Sequence, residues 1–143
     1  MIQALNQFRL HGHFTDLYLH CDETVFHCHK AVLAAASDTL KDLVLNDQEG
    51  FIKIEGPVKC QDMEDVINFA YTGGVEDEAG LQRPGLLKAA AMYGLGGLFD
   101  LCQGAMVAKV RVGGMDPVEA LKLGVRWDAF ISSIAINMSK YLE

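Results

Sequence analysis

The sequence predicts an α/β (α+β) fold in which a small mixed sheet is flanked by a cluster of helices. Residues 17–21 alternate between apolar and polar, and residues 25–29 do so again after a short polar break, which is typical of a half-buried hairpin. At Lys30 the period becomes helical, because residues 31–36 are an apolar, alanine-rich run without a helix breaker. Beyond residue 60, helical patterns separated by glycine and proline fill most of the chain.

The composition limits the classes of function. The chain has 143 residues, half of them hydrophobic, which suits one compact domain with an extension. The net charge of −7 argues against a nucleic-acid partner, because binding phosphates needs a basic face. No apolar run approaches the roughly 20 residues that span a bilayer, and no export signal opens the chain. We therefore expect no membrane association and a location in the cytoplasm or the nucleus.

The start of the chain predicts a short amphipathic helix. Ile2, Leu5 and Phe8 fall at helical spacing, and Gly12 is placed to end the helix. A helix this short is marginal alone. Its apolar stripe must therefore cover another surface, either on its own domain or on a second copy of the chain.

The middle of the chain predicts a second short helix and a third strand. Ser37 is placed as the N-cap of a helix over residues 38–44. Residues 46–50 then form a polar turn. Residues 51–54 alternate as a strand, which ends at Gly56-Pro57 because proline cannot extend a ladder of backbone hydrogen bonds.

The second half of the chain predicts mainly helices. One helix is expected to begin at Asp62 as its cap and to stop at Gly73-Gly74. Residues 75–83 are polar and acidic, which predicts a surface connection with at most a short strand. Pro84 opens the next helix, which reaches Gly94. The remaining predicted segments are a helix from about residue 95 to Arg111 and a helical hairpin with arms at residues 117–125 and 128–142, the first capped by Asp116.

These elements carry a motif that resembles the signature of the BTB/POZ domain. Asp16 opens the first strand, Phe26 lies three residues before His29, and the run HKAVLAA that begins at His29 closes on Ser37. The segments LNQFRLHGHF, FAYTG and PGLLKAAAMYGLGGLFDLC are also similar to motifs of this family. The resemblance assigns residues 1–110 to a BTB/POZ domain. Residues 115–143 resemble the start of the BACK segment, the 3-box, which follows this domain in kelch-like proteins.

The resemblance implies a protein-interaction domain that mediates homodimerisation. The expected role is that of a kelch-like substrate adaptor, which bridges a cullin-RING ubiquitin ligase to a substrate held by a further C-terminal domain. The alternative is the BTB domain of a transcriptional regulator that recruits a corepressor peptide. We expect the chain to be part of a longer protein, because a BACK segment would continue beyond residue 143.

The resemblance also assigns a dimer interface to the first helix and to the helix after His29. Asp16 and Lys30 are expected to lie beside this interface in a pocket that both chains line, and the alternative is a salt bridge within one chain. A charge in such a pocket must be paired or hydrogen-bonded. The interface residues that the resemblance implies are Ile2, Leu5, Phe8, Arg9, Phe14, Asp16, Lys30, Ala31 and Ala34.

A cullin scaffold is expected to bind only weakly. Kelch-like adaptors that bind it well carry a hydrophobic-x-Glu motif in the loop at residues 46–50. Glu49 matches the glutamate here, but Asp47 stands where the apolar anchor belongs. The contact residues that the resemblance implies are Leu40, Leu43, Asp47, Glu49 and Tyr71.

The sequence predicts no enzymatic site, no cofactor and no metal. Cys28 with His27 and His29 offers zinc-ligand types, but neighbours on a strand point to opposite faces, so these side chains cannot share a metal. Cys60 and Cys102 have no ligand partner close in sequence. The nucleophile at a sharp turn that acyl transfer uses is not found in the sequence. Cysteines that occur singly among apolar residues behave as small buried hydrophobes, which indicates a reducing compartment.

Overall fold

The computed structural model describes residues 2–56 and 58–123. Its strands are β1 (Leu17–Cys21), β2 (Thr24–Cys28) and β3 (Phe51–Lys53). Its helices are α1 (Ile2–His11), α2 (Lys30–Ala36), α3 (Asp38–Asn46), α4 (Cys60–Thr72), α5 (Pro84–Met92), α6 (Gly96–Arg111) and α7 (Pro117–Lys122), with a 3-10 helix at Glu78–Gln82. A small sheet among helices is the α/β class that the sequence predicts.

The sheet is mixed and has the order β2-β1-β3. β1 pairs with β2 in antiparallel register, with Leu17 opposite Cys28, and pairs with β3 in parallel. The hairpin turns at Asp22-Glu23, where Asp22 adopts a left-handed conformation (φ +52°) that aspartate tolerates better than most residues. The alternation predicted for β1 is confirmed, because the side chains of Leu17, Leu19 and Cys21 are buried.

The core lies between the inner face of the sheet and the helices. Its largest fully buried side chains come from β1 and from helices α2 to α6. They are Leu17, Leu19, Leu33, Leu40, Met63, Ile67, Leu86, Leu87, Leu98 and Met106. Each such side chain contributes about 1.5–3 kcal/mol relative to an exposed position. Part of α1 and the outer side of α2 stay outside this core.

Ser37 separates α2 from α3, as predicted. Its hydroxyl oxygen accepts a hydrogen bond from the backbone N–H of Leu40 at 3.0 Å, which caps α3. The same hydroxyl donates to the carbonyl of Tyr93 at 2.7 Å. The cap therefore also ties α3 to the end of α5. The helix runs to Asn46, two residues beyond its predicted end at residue 44.

Asp62 is not the cap of α4, because the helix begins earlier, at Cys60. The Asp62 side chain is buried and forms an ion pair with the guanidinium of Arg83 at 3.3 Å, and Arg83 also contacts the Asp65 carboxylate. Burial raises the pKa of Asp65, although the Arg83 charge acts in the opposite direction. A Cβ atom on Gly85 would come within 2.3 Å of an Asp62 oxygen, so glycine allows the close approach of α5 to α4.

Residues 75–83 form more structure than the predicted surface connection. They contain the 3-10 helix, which Asp77 caps by accepting a hydrogen bond from the N–H of Ala79 at 3.0 Å. Arg83 ends this segment and is held by the ion pairs with α4. The sequence pattern did not predict that this segment is ordered, because the ion pairs that hold it are formed with α4.

The C-terminal extension begins as predicted. Asp116 caps α7 by accepting a hydrogen bond from the N–H of Val118 at 2.9 Å, and Ala120 is fully buried. α7 ends at Lys122, before the predicted limit of residue 125. Residues 124–143, which include the second predicted arm, lie outside the described residues. Among the helices of the described ranges, none combines the length and apolarity that a membrane crossing requires.

The hydroxyl of Tyr71, near the end of α4, joins that helix to the start of α2. It accepts a hydrogen bond from the backbone N–H of His29 at 2.8 Å and lies 2.6 Å from His29 Nδ1. His29 Nε2 lies 2.9 Å from the carbonyl oxygen of His13. Because a carbonyl can only accept, Nε2 carries the proton and Nδ1 accepts from the Tyr71 hydroxyl. Burial raises the pKa of Tyr71, which keeps this hydroxyl protonated.

The same tyrosine holds α1 through its ring. The guanidinium of Arg9 lies over the Tyr71 ring, 5.1 Å from the ring centre, as a cation–π contact. Asn6 accepts two hydrogen bonds from this guanidinium, at 2.9 and 2.7 Å. Both side chains are buried. α1 is therefore attached to the domain by its polar side, which leaves its apolar side partly uncovered.

We predict that Tyr71→Phe lowers the free energy of unfolding by about 1–3 kcal/mol, because the change leaves the buried N–H and Nδ1 of His29 without a partner. Chemical denaturation measures this loss. The control is Tyr18→Phe, at an exposed position on the outer face of the sheet, which should change stability by less than about 0.5 kcal/mol. Equal midpoints for the two variants would show that the hydrogen bonds to His29 are not needed.

Candidate functional site

The strongest candidate site is the apolar surface where α1 lies beside α2. We call the surface formed by Leu5, Phe8, Phe14, Ala31 and Ala35 the α1–α2 face. Phe8 is 36% exposed and Phe14 is 81% exposed, whereas Leu5 is half-buried. Ala31 and Ala35 are exposed on α2. Small side chains on α2 allow another backbone to approach closely.

Phe14 is the unusual residue of this face. Its backbone has φ +61°, a left-handed conformation that is rare for a bulky residue and costs about 1–3 kcal/mol. Its ring contacts Phe8 edge to face, with the ring centres 5.3 Å apart, but is otherwise largely open to solvent. Both the backbone strain and the exposed ring are unfavourable in a single chain. A surface that covered the ring would offset both.

A groove of about 750 Å³ adjoins the face between α2 and α4. Leu5, Phe14 and Val32 supply part of its apolar lining, and Asp16 and His29 add polar groups. Its lining is mostly apolar and it opens at the surface. Such a groove suits an apolar side chain or a peptide better than a charged small molecule.

The Asp16 side chain contacts the backbone of Lys30 and not its ammonium group. The Asp16 carboxylate accepts a hydrogen bond from the N–H of Lys30 at 2.7 Å, at the first residue of α2. A negative charge at a helix N-terminus is favourable because the free N–H groups there are partly positive. Asp16 therefore caps α2 across the strand hairpin, and this bond to the backbone takes the place of the salt bridge that was the alternative to an interface role.

The structure distributes the other predicted interface residues between surface and interior. Arg9 is only 6% exposed and its guanidinium faces the Tyr71 ring. In the single chain Arg9 is therefore an interior residue and not part of the exposed surface, contrary to the prediction. Ala34 and the Lys30 side chain are half-buried. Ile2 begins α1, and the role of its side chain stays a prediction.

The predicted cullin-contact residues do not form one surface. Leu40 is fully buried and Tyr71 is 4% exposed, because both face the core, so neither offers area to a partner. Asp47 accepts hydrogen bonds from the N–H groups of Gly50 at 2.7 Å and Glu49 at 3.4 Å, which stabilises the turn before β3. Leu43 is half-buried and Glu49 is exposed, so these two side chains remain accessible.

A second group of reactive side chains lies at the other end of β1. The Sγ atoms of Cys21 and Cys60 are 3.0 Å apart, and a carboxylate oxygen of Asp22 is 3.9 Å from Cys60 Sγ. The three ligand atoms lie within 4.8 Å of one another, so they could hold a metal ion. The sequence pattern did not pair Cys60 with Cys21, because this contact depends on the parallel pairing of β1 with β3. By contrast, Cys28 is buried while its neighbour His27 is exposed, as strand alternation requires.

Comparison with known proteins shows what this architecture is similar to. The family model of the BTB/POZ domain matches residues 5–109. Human Kelch-like protein 23 is 40% identical over 80 residues, which cover 52% of this chain and 14% of that protein. Transcription activator GAGA of Drosophila melanogaster is 36% identical over 101 residues, which cover 68% of this chain and 17% of that protein. The chain thus spans less than a fifth of either relative.

A solved structure gives the same result for the fold. The BTB domain of zebrafish PATZ1 superposes with a TM-score of 0.65 and 27% sequence identity, and the match covers 74% of this chain and 87% of that one. The relatives include both kelch-like proteins and a transcription activator. The chain belongs to the BTB/POZ domain family, whose fold is a protein-interaction module.

Proposed function

We propose that this chain is a homodimeric interaction domain and that two copies meet at the α1–α2 face. The observation that carries the proposal is Phe14, an exposed aromatic ring on a left-handed backbone beside an apolar groove. In a twofold dimer each copy presents the same patch to the other. Each Phe14 would then enter the groove of the second copy, where burial of the ring offsets the backbone strain.

The small residues and the charges of the face support this arrangement. Ala31 and Ala35 let the two α2 helices approach closely. Asp16 keeps its hydrogen bond to the Lys30 N–H when it is covered, so its charge is not left without a partner. The Arg9 side chain contacts Tyr71 of its own chain, and this contact holds α1 against the domain. The dimer therefore needs no new ion pair between the copies.

The partner class that we propose first is a cullin-3 type scaffold, which would make the chain part of a kelch-like substrate adaptor of a cullin-RING ubiquitin ligase. Two observations support this role: the identity to Kelch-like protein 23, and α7, which continues the chain after the BTB domain and buries Ala120. Residues 115–143, which include α7, resemble the start of a BACK segment in sequence. Binding would be weak, because Asp47 is engaged in its turn and the loop has no apolar anchor.

The second candidate is the BTB domain of a transcriptional regulator in the nucleus. The match to Transcription activator GAGA favours it, because that match covers 68% of the chain while the kelch-like match covers 52%. In this role a corepressor peptide would lie across the dimer, in a groove formed where the two copies meet. The two candidates share the homodimer and differ in the surface that the partner uses: the α3–β3 loop for the scaffold, the dimer groove for the peptide.

We predict that the unmodified chain is a dimer at micromolar concentration and that Phe14→Asn weakens dimerisation by about a hundredfold or more, because the twofold dimer loses two buried rings, each worth about 1.5–3 kcal/mol. Asparagine tolerates the left-handed backbone, so the single chain should keep its stability. Sedimentation equilibrium measures both dissociation constants. Leu45→Asn, at an exposed position on α3 away from the face, is the control and should leave the dimer unchanged. A monomeric unmodified chain, or an unaffected Phe14→Asn dimer, would refute the proposed interface.

We predict micromolar affinity for the N-terminal domain of a cullin-3 type scaffold, because an absent apolar anchor costs about 1.5–3 kcal/mol. Isothermal calorimetry measures the affinity, and Leu43→Asp should abolish the binding, whereas Phe51→Ser on the sheet should not. Nanomolar affinity would contradict the account of the loop. Absence of any binding, together with a corepressor peptide that protects the dimer groove from hydrogen exchange, would favour the regulator.

A further inference from the structure

Cys21 and Cys60 bring two thiols into direct contact at the end of the sheet opposite to the α1–α2 face. Cys21 is the last residue of β1 and Cys60 is the first residue of α4. The Cys60 thiol lies 3.0 Å from Cys21 Sγ and 3.0 Å from the Cys21 carbonyl oxygen. The chain has four cysteines, and the other two, Cys28 and Cys102, are fully buried elsewhere in the core.

The two thiols differ in their access to solvent. Cys60 is partly exposed, whereas Cys21 is 2% exposed. Burial raises the pKa of Cys21 to about 12, and the hydrogen bond with Cys60 and its nearby charge act in the same direction. A dissolved oxidant therefore reaches Cys60 first, and Cys21 is positioned behind it as the second thiol.

We propose that Cys21 and Cys60 are a redox pair that a peroxide converts reversibly to a disulfide. A disulfide needs the two sulfurs about 2.0 Å apart, so they have to close by about 1 Å. Redox-sensing disulfides of this transient kind are the type found in reducing compartments.

A structural zinc site is the competing use of this cluster. It takes four protein ligands, and two thiolates on one zinc lie about 3.8 Å apart, as follows from Zn–S bonds of about 2.3 Å in tetrahedral geometry. The described residues supply only Cys21, Cys60 and Asp22. The sulfurs would also have to separate from their present contact. The contact therefore favours the disulfide.

The proposed reaction has two balanced steps. In the first, the Cys60 thiol loses its proton, its thiolate attacks one peroxide oxygen, an S–O bond forms and the O–O bond breaks, and the leaving hydroxide takes up that proton to become water. This sulfur becomes a sulfenic acid and is oxidised by two electrons, which reduce the peroxide. In the second, the Cys21 sulfur attacks the Cys60 sulfur, the S–S bond forms, the S–O bond breaks, and the leaving hydroxide takes the Cys21 proton and departs as water. In total, two thiols and one hydrogen peroxide give one disulfide and two waters.

The disulfide would enclose α2, which supplies Ala31 and Ala35 to the proposed interface. The two cysteines are 39 positions apart, and the loop between them contains β2, α2, α3 and β3. Closing a loop of this length restricts the unfolded chain, so oxidation should raise the melting temperature by several degrees. A dithiol reductant should reverse the change.

The test is hydrogen peroxide treatment of the folded, purified chain, followed by intact-mass measurement and peptide mapping. We expect a loss of two hydrogen masses, a Cys21–Cys60 linked peptide, and a higher melting temperature that dithiothreitol reverses. Cys60→Ser should remove the mass loss, and Cys102→Ser should keep it. Cys21→Ser should stop at a sulfenic acid on Cys60, which dimedone traps.

Three results would overturn the proposal. The first is an unchanged mass under peroxide, and the second is a Cys60→Ser variant that still loses two hydrogen masses. The third is stoichiometric zinc in the purified chain that Cys60→Ser removes, which would assign the cluster to a metal. Because Cys60 is only partly buried, its serine variant should fold, and its circular dichroism spectrum checks this.

Discussion

The hydrogen-bonded contact between Tyr71 and His29 is the constraint on which the candidate interface depends. One hydroxyl from α4 fixes the backbone and ring of His29 at the entry to α2, and the same imidazole holds the His13 carbonyl beside Phe14. The Tyr71 ring also carries Arg9 and therefore α1. Three separate segments of the chain are thus oriented by one buried side chain. The position of Phe14 is a consequence of this contact.

The two sides of α1 have opposite roles. Its polar side, with Asn6 and Arg9, is buried against α4, while Phe8 on its apolar side remains 36% exposed. An amphipathic helix normally buries its apolar stripe. The inverted attachment, the strained backbone of Phe14 and the open groove are all unfavourable for a chain alone and are favourable for a chain that binds a copy of itself. The proposed dimer would account for the three features together.

Local patterns were sufficient for the strands and most helices. Strand alternation identified the buried face of β1, and Ser37 was identified as a cap because its hydroxyl acts on an amide three residues away. Features set by distant contacts were missed. Asp62 pairs with Arg83 of a later segment, and Cys60 meets Cys21 only through the parallel pairing of β1 with β3. Phe14 was placed in the interface by family resemblance, but its left-handed backbone has no signal in the sequence.

The central claim is that a second copy of the chain covers the α1–α2 face. It is tested most directly by isotope-filtered NMR on a dimer in which one copy is ¹³C-labelled and the other is not. The account predicts nuclear Overhauser effects between copies that join Phe14 ring protons to the methyl groups of Ala31 or Ala35. Contacts between copies that involve only the exposed face of the sheet, around Tyr18 and Phe51, would contradict it.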